Sequence, residues 1–236
     1  MPSSLLSNVL PSLFGGAIAE LITLPMNTIK TVYQCNKNTT YTSTYKDLVK
    51  NGNYSRLYNS SIASVLEKSI GISSRFTIYS ILKDARGTKQ NDIFSNFING
   101  SISGVLSLVI SHPLDVVKTR LQNGSNLNSP RDWRTGYYSG FSKALARNLT
   151  ASTLMFPIYD YCFWYSGNIF ISTSLTSLIL TVIVHPLDFM KIRQINGVKI
   201  ELASCYRGLL INIVRSNMHF GIMMFLTEYL KRSMYR

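Results

Sequence analysis

Apolar residues gather along this chain in stretches of helix length, at residues 13–24, 102–110 and 169–184, and each stretch runs into a proline. Six helical segments are predicted, roughly at 9–35, 60–84, 95–122, 140–165, 168–195 and 208–231. None is an unbroken apolar run of the ~20 residues that a simple lipid-facing span needs. Each mixes an apolar face with Ser, Thr, Asn and an occasional charge. That mixture suits a helix with lipid on one side and a water-filled cavity on the other. The pattern predicts an all-α membrane protein.

Each apolar stretch ends in a version of one phrase: Pro25-Met-Asn-Thr-Ile-Lys30, Pro113-Leu-Asp-Val-Val-Lys118 and Pro186-Leu-Asp-Phe-Met-Lys191. A helix interior rarely tolerates a proline, a buried acid or a buried lysine, yet the set recurs in register. Such a repeat defines the architecture before other residues are read. Small residues also recur at equal distances before each proline, as Ser12/Gly16, Gly100/Gly104 and Thr173/Ser177, a pattern that lets helices approach closely in a membrane. Polar connections at 36–59, 123–139 and 196–207 separate the helices of each pair. The first holds Tyr45-Lys-Asp-Leu-Val-Lys50-Asn-Gly52, which predicts a short helix ending at a glycine. The second holds Arg131, Arg134 and Gly136, and the third is cut down. Each connection ends in a related phrase: Leu57-Tyr-Asn-Ser60, Tyr137-Tyr-Ser-Gly140 and Cys205-Tyr-Arg-Gly208.

Charge changes the picture. A formal net charge of +13 over 236 residues would by itself suggest nucleic acid or an anionic membrane surface as partner. The chain is nevertheless 46% hydrophobic, and it shows no zinc spacing, RNA-binding aromatic pair or basic block, so nucleic acid is not the expected partner. Three scattered cysteines, Cys35, Cys162 and Cys205, argue against a disulfide framework. Residues 1–8 lack the features of a signal or transit peptide, so targeting information is expected to be internal. Nothing forms a catalytic triad, a phosphate-binding glycine loop or a metal cluster. Neither an enzyme nor a resident cofactor or metal is expected.

With those residues in view, the chain resembles the mitochondrial carrier family, whose signature is Pro-x-Asp/Glu-x-x-Lys/Arg, a loop, and aromatic-x-Gly, repeated three times. The resemblance spans the chain and is nearly complete in Pro113-Leu-Asp-Val-Val-Lys-Thr-Arg-Leu-Gln122. Asn27 replaces the first acid and Ser60 the first glycine. The resemblance implies one carrier domain over 1–236, with six transmembrane helices in three pseudo-symmetric repeats (about 9–84, 95–165 and 168–231) around a central cavity. It also implies a matrix-side gate in which Asp115 pairs with Lys191 and Asp188 with Lys30. Lys118 then faces Asn27, and Gln34 and Gln122 are bracing residues. A second, cytoplasmic gate would pair Asp160 with Lys231 and Glu228 with Lys83. The Asn/Ser/Ile-rich composition resembles AT-rich coding, as in parasites or giant DNA viruses, which for a virus makes the host mitochondrion the destination.

By the same resemblance, substrate contacts fall seven residues after the glycine-like positions, at Glu67, Arg147 and Arg215, with Arg75, Asn148 and His219 near them and Glu20 facing the cavity. Arginines converging on one cavity favour a polyanion, because guanidinium binds phosphate or carboxylate bidentately. His112 and His185, each just before a motif proline, read as packing residues. The expected function is alternating-access exchange of nucleotides or deoxynucleotides across the mitochondrial inner membrane, by a monomer in lipid that includes cardiolipin. The alternatives are a carrier for S-adenosylmethionine, thiamine pyrophosphate or keto acids, or a non-transporting membrane adaptor with the same fold.

Overall fold

The long helices continue unbroken through their prolines. In the computed structural model, which describes residues 2–36, 39–52, 54–87, 93–124 and 136–234, seven α-helices succeed one another: α1 Pro2–Cys35, α2 Tyr41–Leu48, α3 Ser61–Ala85, α4 Ile93–Gln122, α5 Phe141–Ser166, α6 Ile169–Ile195 and α7 Leu209–Met234. Pro25, Pro113 and Pro186 lie inside α1, α4 and α6. A proline has no N–H to donate and strips a partner from the carbonyl four residues earlier. In α4 that carbonyl belongs to Val109, and the Tyr138 hydroxyl donates to it at 3.2 Å from the turn before α5.

The six long helices close into a ring in the order α1, α3, α4, α5, α6, α7. Packing is most extensive for α3 on α4, α7 on α1 and α5 on α6; α1 and α3, and α6 and α7, touch less, and α4 and α5 least. The interior is the polar part of the molecule. Among the described residues, buried polar and charged side chains outnumber buried apolar ones, while Ile62, Trp164, Tyr165, Leu210 and Phe225 are exposed. That inverts the order of a water-soluble protein and matches a bundle whose outer face meets lipid. Contrary to the expectation from interrupted apolar runs, the helices at Ile98–Gln122, Ile171–Ile195 and Leu209–Leu230 are long and apolar enough on average to cross a bilayer.

The short helix in the first connection also forms, but it starts earlier than the sequence suggested. Thr40 caps α2 through a reciprocal pair of hydrogen bonds with Ser43, and the segment ends in a single 3-10 turn at Gly52. The close approach expected at the small-residue pairs is not where it was placed. A Cβ on Gly100 would meet nothing within 4 Å, and one on Gly16 or Gly104 would meet a lone side-chain atom at 3.8 Å. The side chain of Ser12 lies outside the described residues. The tight contact is one residue earlier on α1, at Gly15, where a Cβ would sit 2.8 Å from Thr227 Oγ1 and 3.2 Å from the Met223 carbonyl of α7.

Gly140 and Gly208 turn the chain into α5 and α7 with φ of +77° and +87°. A Cβ on Gly140 would lie 3.3 Å from the Lys191 carbonyl, and one on Gly208 3.3 Å from the Gln34 side chain. Ser60, the third member of the set, has φ −99°, which any residue adopts, so the missing glycine is no defect. Replacing Gly208 by Ala is expected to lower stability by about 1 kcal/mol or more, since φ is left-handed and space is short. Thermal unfolding in detergent checks this: Gly208→Ala melts below wild type, while Ser60→Ala stays close to it.

Candidate functional site

The three proline phrases bring their charged residues to one end of a central cavity of about 680 Å³. Side chains of each proline-marked turn project along the inner faces of α1, α4 and α6, where spacings of three and four keep them on one face. Lys30 Nζ lies 3.3 Å from Asp188 Oδ2, and Lys191 Nζ lies 2.5 Å from Asp115 Oδ2. These are the two pairs that the family resemblance implied. Together they form a floor that ties α1 to α6 and α4 to α6.

Lys30 is also held by a polar chain that the sequence did not announce. Its ammonium donates to Asn212 Oδ1 at 2.8 Å, Asn212 Nδ2 lies 3.2 Å from His185 Nδ1, and His185 Nε2 lies 3.2 Å from the Arg207 carbonyl. With the imidazole proton on Nε2, every member of that chain has a matching donor or acceptor. His112 Nε2 makes the corresponding contact with the Ser139 carbonyl at 3.1 Å. The histidine before each of these two prolines thus fastens the turn that starts the next helix. Asn212 could have been found from its place, one turn after Gly208 on the inner face of α7.

Several expected contacts are replaced by others. Lys118 does not bond Asn27; its Nζ lies 2.6 Å from Glu20 Oε1 and 3.4 Å from Glu67 Oε2, because an amide offers an ammonium far less than a carboxylate. Neither glutamine bonds the ion pairs it was expected to brace. Gln34 donates to the Arg207 carbonyl at 3.0 Å, since Gly208 passes directly against it, and Gln122 accepts from Thr31 at 2.9 Å. Arg147 and Arg215 do reach the cavity, but both are engaged with acids. Arg147 Nε lies 2.5 Å from Asp188 Oδ1, and Arg215 Nη2 3.1 Å from Glu20 Oε2. His219 Nδ1 stands 3.4 Å from Thr23 Oγ1 and 3.6 Å from Glu20.

Arg75, Glu67 and Asn148 line the cavity, and Arg75 and Lys68 form no ion pair among the described residues. A side recess of about 450 Å³ between α3, α4 and α5 shares Arg75, Phe76, Leu108 and Asn148 with the main cavity and continues past Tyr79. At the other end of the bundle stand Lys83, Asp160 and Glu228. None of the three lines the cavity, and Asp160 and Glu228 are exposed. The side chain of Lys231 lies outside the described residues, as do Arg131 and Arg134.

A ring of six helices around a polar, charge-lined cavity, floored by ion pairs at proline-marked turns, defines a membrane carrier of small solutes. The family model for "Mitochondrial carrier protein" matches residues 2–90 and 89–135. A mitochondrial carrier-like protein of Acanthamoeba polyphaga mimivirus is 32% identical over 221 residues, which is 91% of this chain and 92% of the relative. A mitochondrial thiamine pyrophosphate carrier of Scheffersomyces stipitis is 26% identical over 176 residues, 65% of this chain and 58% of that protein. A mitochondrial citrate transporter of Aspergillus niger is 30% identical over 125 residues, 48% of this chain and 42% of that protein. The chain belongs to the mitochondrial carrier family: it is a membrane-embedded solute transporter with the helical fold of that family.

Proposed function

We propose that this carrier exchanges phosphate-bearing anions, nucleotides or deoxynucleotides first, across the mitochondrial inner membrane by alternating access. The observation that carries this reading is the charge of the cavity wall. Lys30, Lys68, Arg75, Lys118, Arg147, Lys191 and Arg215 line it, against only Glu67, Asp115 and Asp188. Counting Glu20, buried behind Lys118 and Arg215, three positive charges remain in excess. In a low-dielectric enclosure such an excess raises the local concentration of anions and favours their entry. Arg75 offers a guanidinium to phosphate, and the recess beside it, walled by Phe76 and Tyr79, offers a base an apolar place.

Gating follows from the same contacts. With the floor pairs formed, the motif end is closed, so solute enters from the opposite side. An anion reaching Arg147 competes with Asp188 for it, which leaves Asp188 to Lys30 alone and weakens the floor. Since a ligand shifts an equilibrium only by its preference for one state, this exchange of partners is the source of that preference. Asp160, Glu228, Lys231 and Lys83 supply the charges of the far gate.

A second reading, thiamine pyrophosphate, draws on the similarity to the carrier named for it and shares the same phosphate chemistry. Competition for uptake into proteoliposomes tests the reading. A nucleoside triphosphate is expected to outcompete its nucleoside by about tenfold or more, with the advantage shrinking as added salt screens the approach. Base identity is expected to have a small effect, because the Phe76, Tyr79 and Leu108 wall of the recess receives the face of any base alike. Equal competition by nucleoside and triphosphate, or exchange restricted to S-adenosylmethionine or keto acids, would overturn it.

A further inference from the structure

The third lysine of the floor has no acid at the position its two counterparts use, because Asn27 stands there. The structure nevertheless gives Lys118 a carboxylate at 2.6 Å, that of Glu20. Glu20 lies seven residues before Asn27 on α1, two turns along the same helix face and about 10 Å deeper by helical rise. It is fully buried, and both of its oxygens are used: Oε1 takes Lys118 of α4, and Oε2 takes Arg215 of α7. Glu20 therefore joins three helices of the ring at one carboxylate. The other two floor acids are not placed this way, since Asp115 and Asp188 belong to the proline phrases themselves.

We propose that Glu20 supplies the third link of the closed floor, moved two turns inward from the vacant position at Asn27. This rests on reading the floor as a gate. The displaced link stands among the groups that meet solute, so an anion that takes Arg215 or Lys118 breaks it at once. One of the three links is thus opened by solute contact directly. Glu67, 3.4 Å from Lys118, is a weaker second support, because it reaches neither Arg215 nor α1.

Repositioning the acid tests this. Glu20→Gln keeps size and removes charge; in the purified protein without solute it is expected to lower the unfolding midpoint by about 5 °C or more, as loss of one partner in a buried ion pair does. Adding Asn27→Asp returns an acid to Lys118 at the ring position and is expected to recover at least half of that fall. Exchange of whichever solute wild type carries recovers in parallel. If Glu20 only neutralised Arg215, an acid two turns away would recover nothing, so failure of the double variant overturns the proposal. A Glu20→Gln midpoint equal to wild type overturns it as well. Should Glu20→Gln not fold, Glu20→Asp is expected to show a smaller fall with the same recovery by Asn27→Asp. The unfolding readout needs no solute, so it can fail while the nucleotide reading stands, and the reverse.

Discussion

Asp188→Lys is expected to abolish exchange, and adding Lys30→Asp to bring part of it back. Asp188 is the most heavily engaged acid of the floor, with Lys30 at 3.3 Å on one oxygen and Arg147 at 2.5 Å on the other. Removing one partner of a buried pair costs about 3–5 kcal/mol, and reversing its sign places three cations together at the end of the cavity. The double variant rebuilds one attraction between positions 30 and 188 with opposite polarity. It also leaves the new lysine beside Arg147, and the new aspartate facing Asn212 Oδ1, which now accepts from Lys30 at 2.8 Å. Rescue is therefore partial. Uptake into proteoliposomes, with insertion of each variant verified, is the measurement. A double variant as inactive as Asp188→Lys would show that the two residues do not act as a pair.

Arg147→Ala and Arg215→Ala are each expected to reduce uptake by about 10- to 100-fold, the equivalent of one charge-assisted contact of ~1.5–3 kcal/mol. The two losses differ in origin. Arg147→Ala removes a solute contact and also breaks the ion pair between α5 and α6, which leaves Asp188 to Lys30 alone. Arg215→Ala leaves Glu20 held by Lys118 and near His219, so the floor persists while the anion loses a guanidinium. Uptake at saturating solute and uptake at low solute should separate these effects: Arg215→Ala weakens apparent affinity more, and Arg147→Ala lowers the maximal rate as well. Unchanged uptake in both variants would remove these arginines from the solute path.

Much of this arrangement was legible in the repeated phrase, for a physical reason. Proline, acid and lysine at constant spacing put two charges on one helix face at one depth, so equivalent copies in a closed ring must meet. Which acid takes which lysine was supplied by the family resemblance, and the structure has Lys30 with Asp188 and Asp115 with Lys191. The family rule failed for Lys118, because it assumed the partner would stay at the vacant position. A buried ammonium instead takes the nearest available carboxylate, and the clue was Glu20, two turns earlier on the face of Asn27. Gln34 was misjudged in a similar way. Its neighbour is decided by how tightly Gly208 passes α1, a tertiary contact that spacing within one helix does not encode. Ser60 shows the converse: a departure from the family pattern whose backbone angle makes glycine unnecessary. Most ends of the long helices were read within a few residues, since glycines and polar connections mark them.

Counter-exchange in proteoliposomes tests the central claim most directly. Vesicles containing the purified carrier are loaded with unlabelled nucleoside triphosphate, nucleoside, thiamine pyrophosphate or citrate, and labelled triphosphate is offered outside. Rapid uptake is expected only in vesicles loaded with a phosphate-bearing anion, and Asp188→Lys should abolish it. Uptake independent of the internal solute, or none with any phosphate while citrate-loaded vesicles exchange citrate, would contradict the account.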